Sequence, residues 1–265
     1  MKRFSVSILS VCFGAAGFVL RLLQNRTGFE PDTGLPVHGN IPAMALPVLL
    51  AVAAVALYLF ACRTQPQKME EPFEAVFRLD DRMGLSAVLA GGCIMAASGV
   101  LDLMEAVGKS AAAVSADGME IVTTGGTGGS GVAIGVLSAA AGLCLVAGTV
   151  LCCKKNAQPL IFLAVPVCLL ARLILVYRLR STDPVLEDYY LELLGLMALI
   201  LAAYRLSGFT VQAGRPRIFT LYEAAVAVLA LTMLPDGAAP AVILMLGGGI
   251  ALTGFQMMLW IDSAE

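Results

Sequence analysis

Charge is what this sequence most lacks. Of 265 residues only 14% are charged, while 59% are hydrophobic and the mean hydropathy is +0.87. Soluble domains carry about 25% charged residues because a water-facing surface needs them. A chain this poor in charge cannot cover a globule of its size with polar surface, so lipid must be the solvent for much of it. Histidine is nearly missing as well, His38 being the only one. The seven cysteines (Cys12, Cys62, Cys93, Cys144, Cys152, Cys153, Cys168) form no C-x-x-C. They fall in apolar runs or at ends assigned below to the cytoplasm, and none lies in an outer loop where oxidation could make a disulfide. A zinc site needs three or four converging N or S ligands, and no such cluster is available, so no metal or cofactor is expected. The net charge of −2 and pI near 5.5 give no hint of a nucleic-acid partner.

What is present is a series of long apolar stretches. Eight are long enough, or nearly so, to cross about 30 Å of hydrocarbon at about 1.5 Å per residue: 4–23, 42–62, 84–106, 131–153, 158–179, 185–206, 218–234 and 239–260. The seventh is short and contains Glu223. These boundaries predict an all-α polytopic transmembrane helical bundle forming a single domain. With the N-terminus in the cytoplasm, that side collects Lys2, Arg3, Arg63, Lys68, Arg78, Arg82, Lys154, Lys155, Arg205, Arg215 and Arg217; the outer side receives Arg21, Arg26, Lys109, Arg178 and Arg180. Basic residues favour the cytoplasmic side, so both termini are expected there, in a bacterial cytoplasmic membrane.

Four segments carry further expectations. Lys2-Arg3 before an apolar run also describes a signal peptide, and Leu9-Ser10-Val11-Cys12 faintly resembles a lipoprotein cleavage site. Valine before the cysteine is too large and the run continues through Leu20, so the first span is expected to be retained. Residues 70–83 read as an amphipathic helix, with Pro72 near its start, Phe73, Val76, Phe77 and Met83 near helical spacing and Glu74 four before Arg78. It is expected to lie along the cytoplasmic interface. The outer connection 107–130 is rich in Ala, Gly, Ser and Thr and is expected to be mobile. Val11-Cys12 and Val167-Cys168, each followed by a basic outer end, suggest a weak four-plus-four parallel repeat.

Several motifs dissolve on inspection. Gly126-Thr127-Gly128-Gly129-Ser130-Gly131 spells G-x-G-x-x-G, but a dinucleotide site needs that turn between a strand and a helix, and nothing around it reads as a βαβ unit. Gly128-Gly129-Ser130-Gly131 spells the G-x-S-G of rhomboid proteases, which need a later histidine to take the serine proton; none follows His38. Asn25-Arg26-Thr27 is a glycosylation sequon set against the membrane, with nothing else to suggest a glycosylating compartment. Gly131, Gly135 and Ala139 in the fourth span, and Gly247, Gly248, Gly249, Ala251 and Gly254 in the eighth, offer small faces for close helix contact.

The intramembrane charges are the most informative feature, because each costs about 2.5–3.5 kcal/mol on insertion scales unless a partner or water is at hand. Arg172 lies in the fifth span, and Glu192 sits in the sixth, as far after Thr182 as Arg172 precedes it. Equal depth on one hairpin predicts that the two pair inside the bundle. Arg21 ends the first span and Asp102 and Glu105 lie near the end of the third, so Arg21, Asp102, Glu105, Arg172 and Glu192 form a candidate polar cluster in the outer leaflet. Arg21 can also snorkel to the surface. Glu187 and Asp188, after Asp183-Pro184, suit a helix start.

The string Arg21-Leu22-Leu23, Thr27 to Leu35 (TGFEPDTGL), Asp183-Pro184-Val185-Leu186 with Tyr189-Tyr190, and Gly208-Phe209 before Gly214-Arg215-Pro216-Arg217 resembles an uncharacterised family of multi-span proteins of anaerobic Gram-positive bacteria. The likeness covers most of the chain and implies no known activity and no functional residues. Three classes stay open. A permease for a small solute or ion would use the outer cluster. A non-catalytic accessory, scaffold or sensor protein would use the charges for helix packing. A membrane enzyme is least favoured, since no nucleophile–base or metal constellation is found. The bilayer is the expected partner, and nucleic acid is not.

Overall fold

A backbone in hydrocarbon must satisfy its own N–H and C=O groups, and for consecutive apolar segments the helix is the form that does so. The computed structural model describes residues 4–28, 39–64, 66, 73–77, 81–116, 127–154, 159–181, 186–237 and 239–259. They form α1 (Phe4–Thr27), α2 (Ile41–Thr64), the single turn α3 (Phe73–Val76), α4 (Arg82–Ala116), α5 (Thr127–Cys153), α6 (Pro159–Arg180), α7 (Leu186–Thr210), α8 (Pro216–Thr232) and α9 (Pro240–Met258). A 3₁₀ turn, Leu234–Asp236, joins the last two. Eight helices are long and apolar enough to cross a membrane, including α8 despite Glu223. The protein is an all-α polytopic bundle.

Punctuation in the sequence explains several ends. Pro216 and Pro240 open α8 and α9, where the missing N–H has no intrahelical partner to lose. The turn between α7 and α8 holds Gln212 at φ 56°, and a Cβ on Gly214 would lie 2.3 Å from Phe209 Cδ1, so only glycine lets the chain fold back over that ring. α4 is longer than its expected span. It continues through Ala116, deep into the connection read as a mobile loop.

The surface is inverted relative to a water-soluble bundle. Ile8, Val48, Leu143, Val167 and Ile174 point outward, while Ser98, Ser138, Thr149, Arg172, Thr220 and Glu223 are buried. The helices α4 to α9 form a closed ring, each packed on the next and α9 returning to α4. The hairpin α1–α2 packs outside this ring against α8. The grouping is thus two and six, a different division from a four-plus-four repeat.

Backbone contact closes the ring. α4 carries small residues on two faces. A Cβ on Gly99 would lie 2.4 Å from Ala139 N and 2.5 Å from Gly135 O of α5; one on Gly91 would lie 2.5 Å from both Ala251 N and Gly247 O of α9. The small faces of α5 and α9 therefore serve close helix contact with α4.

The segment 70–83 departs from expectation. Among its described residues the helical parts are Phe73–Val76 and, from Arg82, the start of α4; Phe73, Val76 and Phe77 are buried, while Met83 is exposed. Phe77 packs edge-on against Phe209 and Phe255, with ring centroids 5.1 and 5.6 Å apart, and Phe73 lies 5.4 Å from Phe162. An isolated antiparallel bridge links Phe77 to Leu259. Bundle side chains cover Phe73, Val76 and Phe77, and leave Met83 outside.

Candidate functional site

The close contact of α4 with α5 builds the site. Gly99 sits on Ala139, so Asp102, three residues along α4, lies beside Ser138, with Asp102 Oδ2 and Ser138 Oγ 3.4 Å apart. Arg172 reaches them from α6, on the buried face it shares with Val165, Leu169 and Val176. Its Nη1 donates to Asp102 Oδ2 at 2.5 Å and also to Ser138 Oγ. Ser138 sends its own proton to Ile134 O at 2.7 Å, leaving its lone pairs to accept from the guanidinium. Arg172 is 2% exposed, and its Nε is buried with no hydrogen-bond partner.

The partner is therefore Asp102 of α4 and not Glu192. Glu192 lies 3.6 Å from Arg180, which stands half-exposed at the end of α6. Equal depth on the α6–α7 hairpin places Arg172 and Glu192 in one neighbourhood, close enough for the charges of Arg172 and Asp102 to act on Glu192. It does not decide which way each side chain points. Arg172 faces α5, where serine and alanine leave room for α4 to come near.

The other two members of the expected cluster go elsewhere. Arg21 is buried, so it does not snorkel. Its Nε donates to Asp236 Oδ1 at 2.8 Å and its Nη1 to Gln24 Oε1 at 3.2 Å. Asn25 donates to the same Asp236 oxygen at 3.0 Å. Together they fasten the end of α1 to the turn between α8 and α9. Glu105 is exposed on α4 and outside the Arg172 contacts.

Sequence reading noted Glu223 only as a weakness of its span. It is 1% exposed, and its Oε1 lies 2.9 Å from Thr253 Oγ1 of α9, while Oε2 is buried without a partner. Thr220 Oγ1 donates to Gln256 Oε1 at 3.0 Å one turn away. Two polar residues spaced by three on each of two consecutive antiparallel helices make two rungs, and that shared spacing was the available signal. Thr253 Oγ1 is also 2.8 Å from Gly249 O. One hydroxyl carries one proton and cannot donate to both. If it serves the carbonyl, the contact with Glu223 calls for a proton on the carboxyl.

The arrangement offers binding groups. A guanidinium with unused donor capacity stands among carboxylates contributed by α4 and α7. Among the described residues no three His, Cys, Asp or Glu side chains gather where they could hold a metal. Compared with protein families, curated proteins and solved structures, the chain matches none.

Proposed function

We propose that this integral membrane protein is a permease for a small solute or ion, with Arg172, Asp102, Ser138 and Glu192 as its binding site. The observation that supports it is the buried Arg172 Nε without a partner. A salt bridge kept only for packing satisfies its donors, because each buried unpaired N–H costs about 1–3 kcal/mol. Here one guanidinium edge is spent on Asp102 and Ser138 while donor capacity is left over, with Glu192 nearby. A carboxylate or other small oxyanion suits the spare donors, and a zwitterion could span Arg172 and Glu192. In this reading the basic end of the bundle faces the cytoplasm and the site opens to the outer leaflet of a bacterial cytoplasmic membrane.

Proteoliposomes on a solid-supported membrane test it, with acetate, succinate, glutamate, nitrate and phosphate jumps as probes. A current from one probe, lost in Arg172→Gln and reduced in Arg172→Lys, is the expected result. No response to any probe, together with full stability of an Arg172→Met/Asp102→Met double variant, leaves packing as the role of the cluster.

A second reading is an accessory or scaffold protein. It is favoured by the backbone contacts of α4 with both α5 and α9, which lock the ring where a rocking transporter needs freedom.

A further inference from the structure

At the opposite end of the bundle from Arg172 lies a cavity of about 540 Å³ between the start of α6 and the end of α7, continuing to the start of α8. Its chemistry is divided. Leu160, Leu163 and Val211 form an apolar wall that is open to the outside, Leu160 being 76% and Val211 59% exposed. Arg205 and Arg215 supply its charge. Among the described residues neither arginine has an ion-pair partner, and Arg205 Nε is buried with no acceptor. The Arg205 guanidinium stands 5.6 Å from the ring centroid of Tyr204, a cation–π distance. Arg215 is the N-cap of α8, so the positive end of that helix adds to its charge.

We infer that this cavity binds the phosphodiester headgroup of an anionic phospholipid, with Arg205 and Arg215 on the phosphate and an acyl chain along Leu160, Leu163 and Val211. The buried, unsatisfied Arg205 Nε calls for an oxyanion, exposed Arg215 lines the same cavity, and planar donors suit phosphate oxygens. The depth fits a headgroup, because the cavity is built from the first turn of one span and the last of another. The apolar wall decides for a lipid over free phosphate. A soluble anion leaves Leu160 and Val211 uncovered, whereas a lipid covers them and places its charge at the arginines. This site is independent of the Arg172 cluster and of whether the protein transports anything.

The test is native mass spectrometry of the full chain, released from mixed micelles of phosphatidylglycerol and phosphatidylcholine with matched acyl chains. Retained phosphatidylglycerol is expected to exceed phosphatidylcholine at least threefold. That preference should fall to about one in Arg205→Gln/Arg215→Gln and persist in Arg205→Lys/Arg215→Lys and in Arg178→Gln, which alters the other end. Monodisperse elution of each variant shows that it is folded. Equal retention of the two lipids, or an undiminished preference in the glutamine variant, overturns the inference. Displacement of the lipid by 10 mM inorganic phosphate also overturns it, because the occupant is then a soluble anion.

Discussion

Arg172 carries a whole charge in a place where water is scarce, and its neutrality is supplied by one carboxylate. Losing either partner strands the other, which costs about 3–5 kcal/mol in a buried pair, whereas losing both removes the problem along with the attraction. Arg172→Leu or Asp102→Leu is therefore expected to lower the melting temperature in detergent sharply, and the double variant to recover much of the loss. Glu192→Leu, whose ion pair is with half-exposed Arg180, should cost far less. Additive losses for Arg172 and Asp102, or a recovery seen with Glu192 instead, contradict the pairing. Glu223 makes a different prediction. Its single polar contact and buried second oxygen suit a neutral group, so Glu223→Gln should stay within about 1 kcal/mol of the native protein. Glu223→Lys should fail to fold. A glutamine variant destabilised as badly as the lysine one means that a buried cation was being neutralised there. The residues were legible in part: Arg172 and Asp102 meet, while Glu192 pairs with Arg180 and Arg21 with Asp236. The identity of the partner was not, because it depends on how α4, α5 and α6 are rotated about their axes, and sequence distance favours the hairpin neighbour instead.

At the scale of elements, α4 is the member that everything else is fitted to. Its glycines do not all have the same role. Gly99→Leu pushes a side chain into the backbone of α5 and is expected to abolish monodisperse protein. Gly108, with nothing within 4 Å of a built Cβ, lies in the same helix. Gly108→Ala should be neutral or stabilising by up to about 1 kcal/mol, the ordinary helix preference for alanine. Thermal unfolding of the two variants in one detergent checks the contrast; equal effects mean that the close seam is not formed. The eight spans could be read directly, since apolar length suffices in a membrane. Segment 70–83 could not, because Phe73, Val76 and Phe77 announce an apolar face without saying what covers it. Only the aromatic set Phe162, Phe209, Phe219 and Phe255, drawn from four helices, reveals the answer.

For the whole molecule, even span number puts both ends of the described chain on one side, together with Arg63, Arg82, Lys154, Arg205, Arg215 and Arg217. That side is expected to be the cytoplasm. In a cysteine-free background, a cysteine at Ser181 should react with an impermeant reagent on intact cells, and one at Lys154 should react only after lysis. The reverse pattern inverts the molecule and places the lipid cavity in the outer leaflet.

The clasp between Arg21 and Asp236 spans 215 residues of sequence. On the ribosome α1 is made before α8, the helix on which α1 and α2 rest, and before the turn that carries Asp236. The first hairpin therefore enters the bilayer before the helix it rests on, with five spans, α4 to α8, still to be made. Its docking must wait for α8 and the turn that follows it. A chain halted after α7 has nowhere to seat that hairpin.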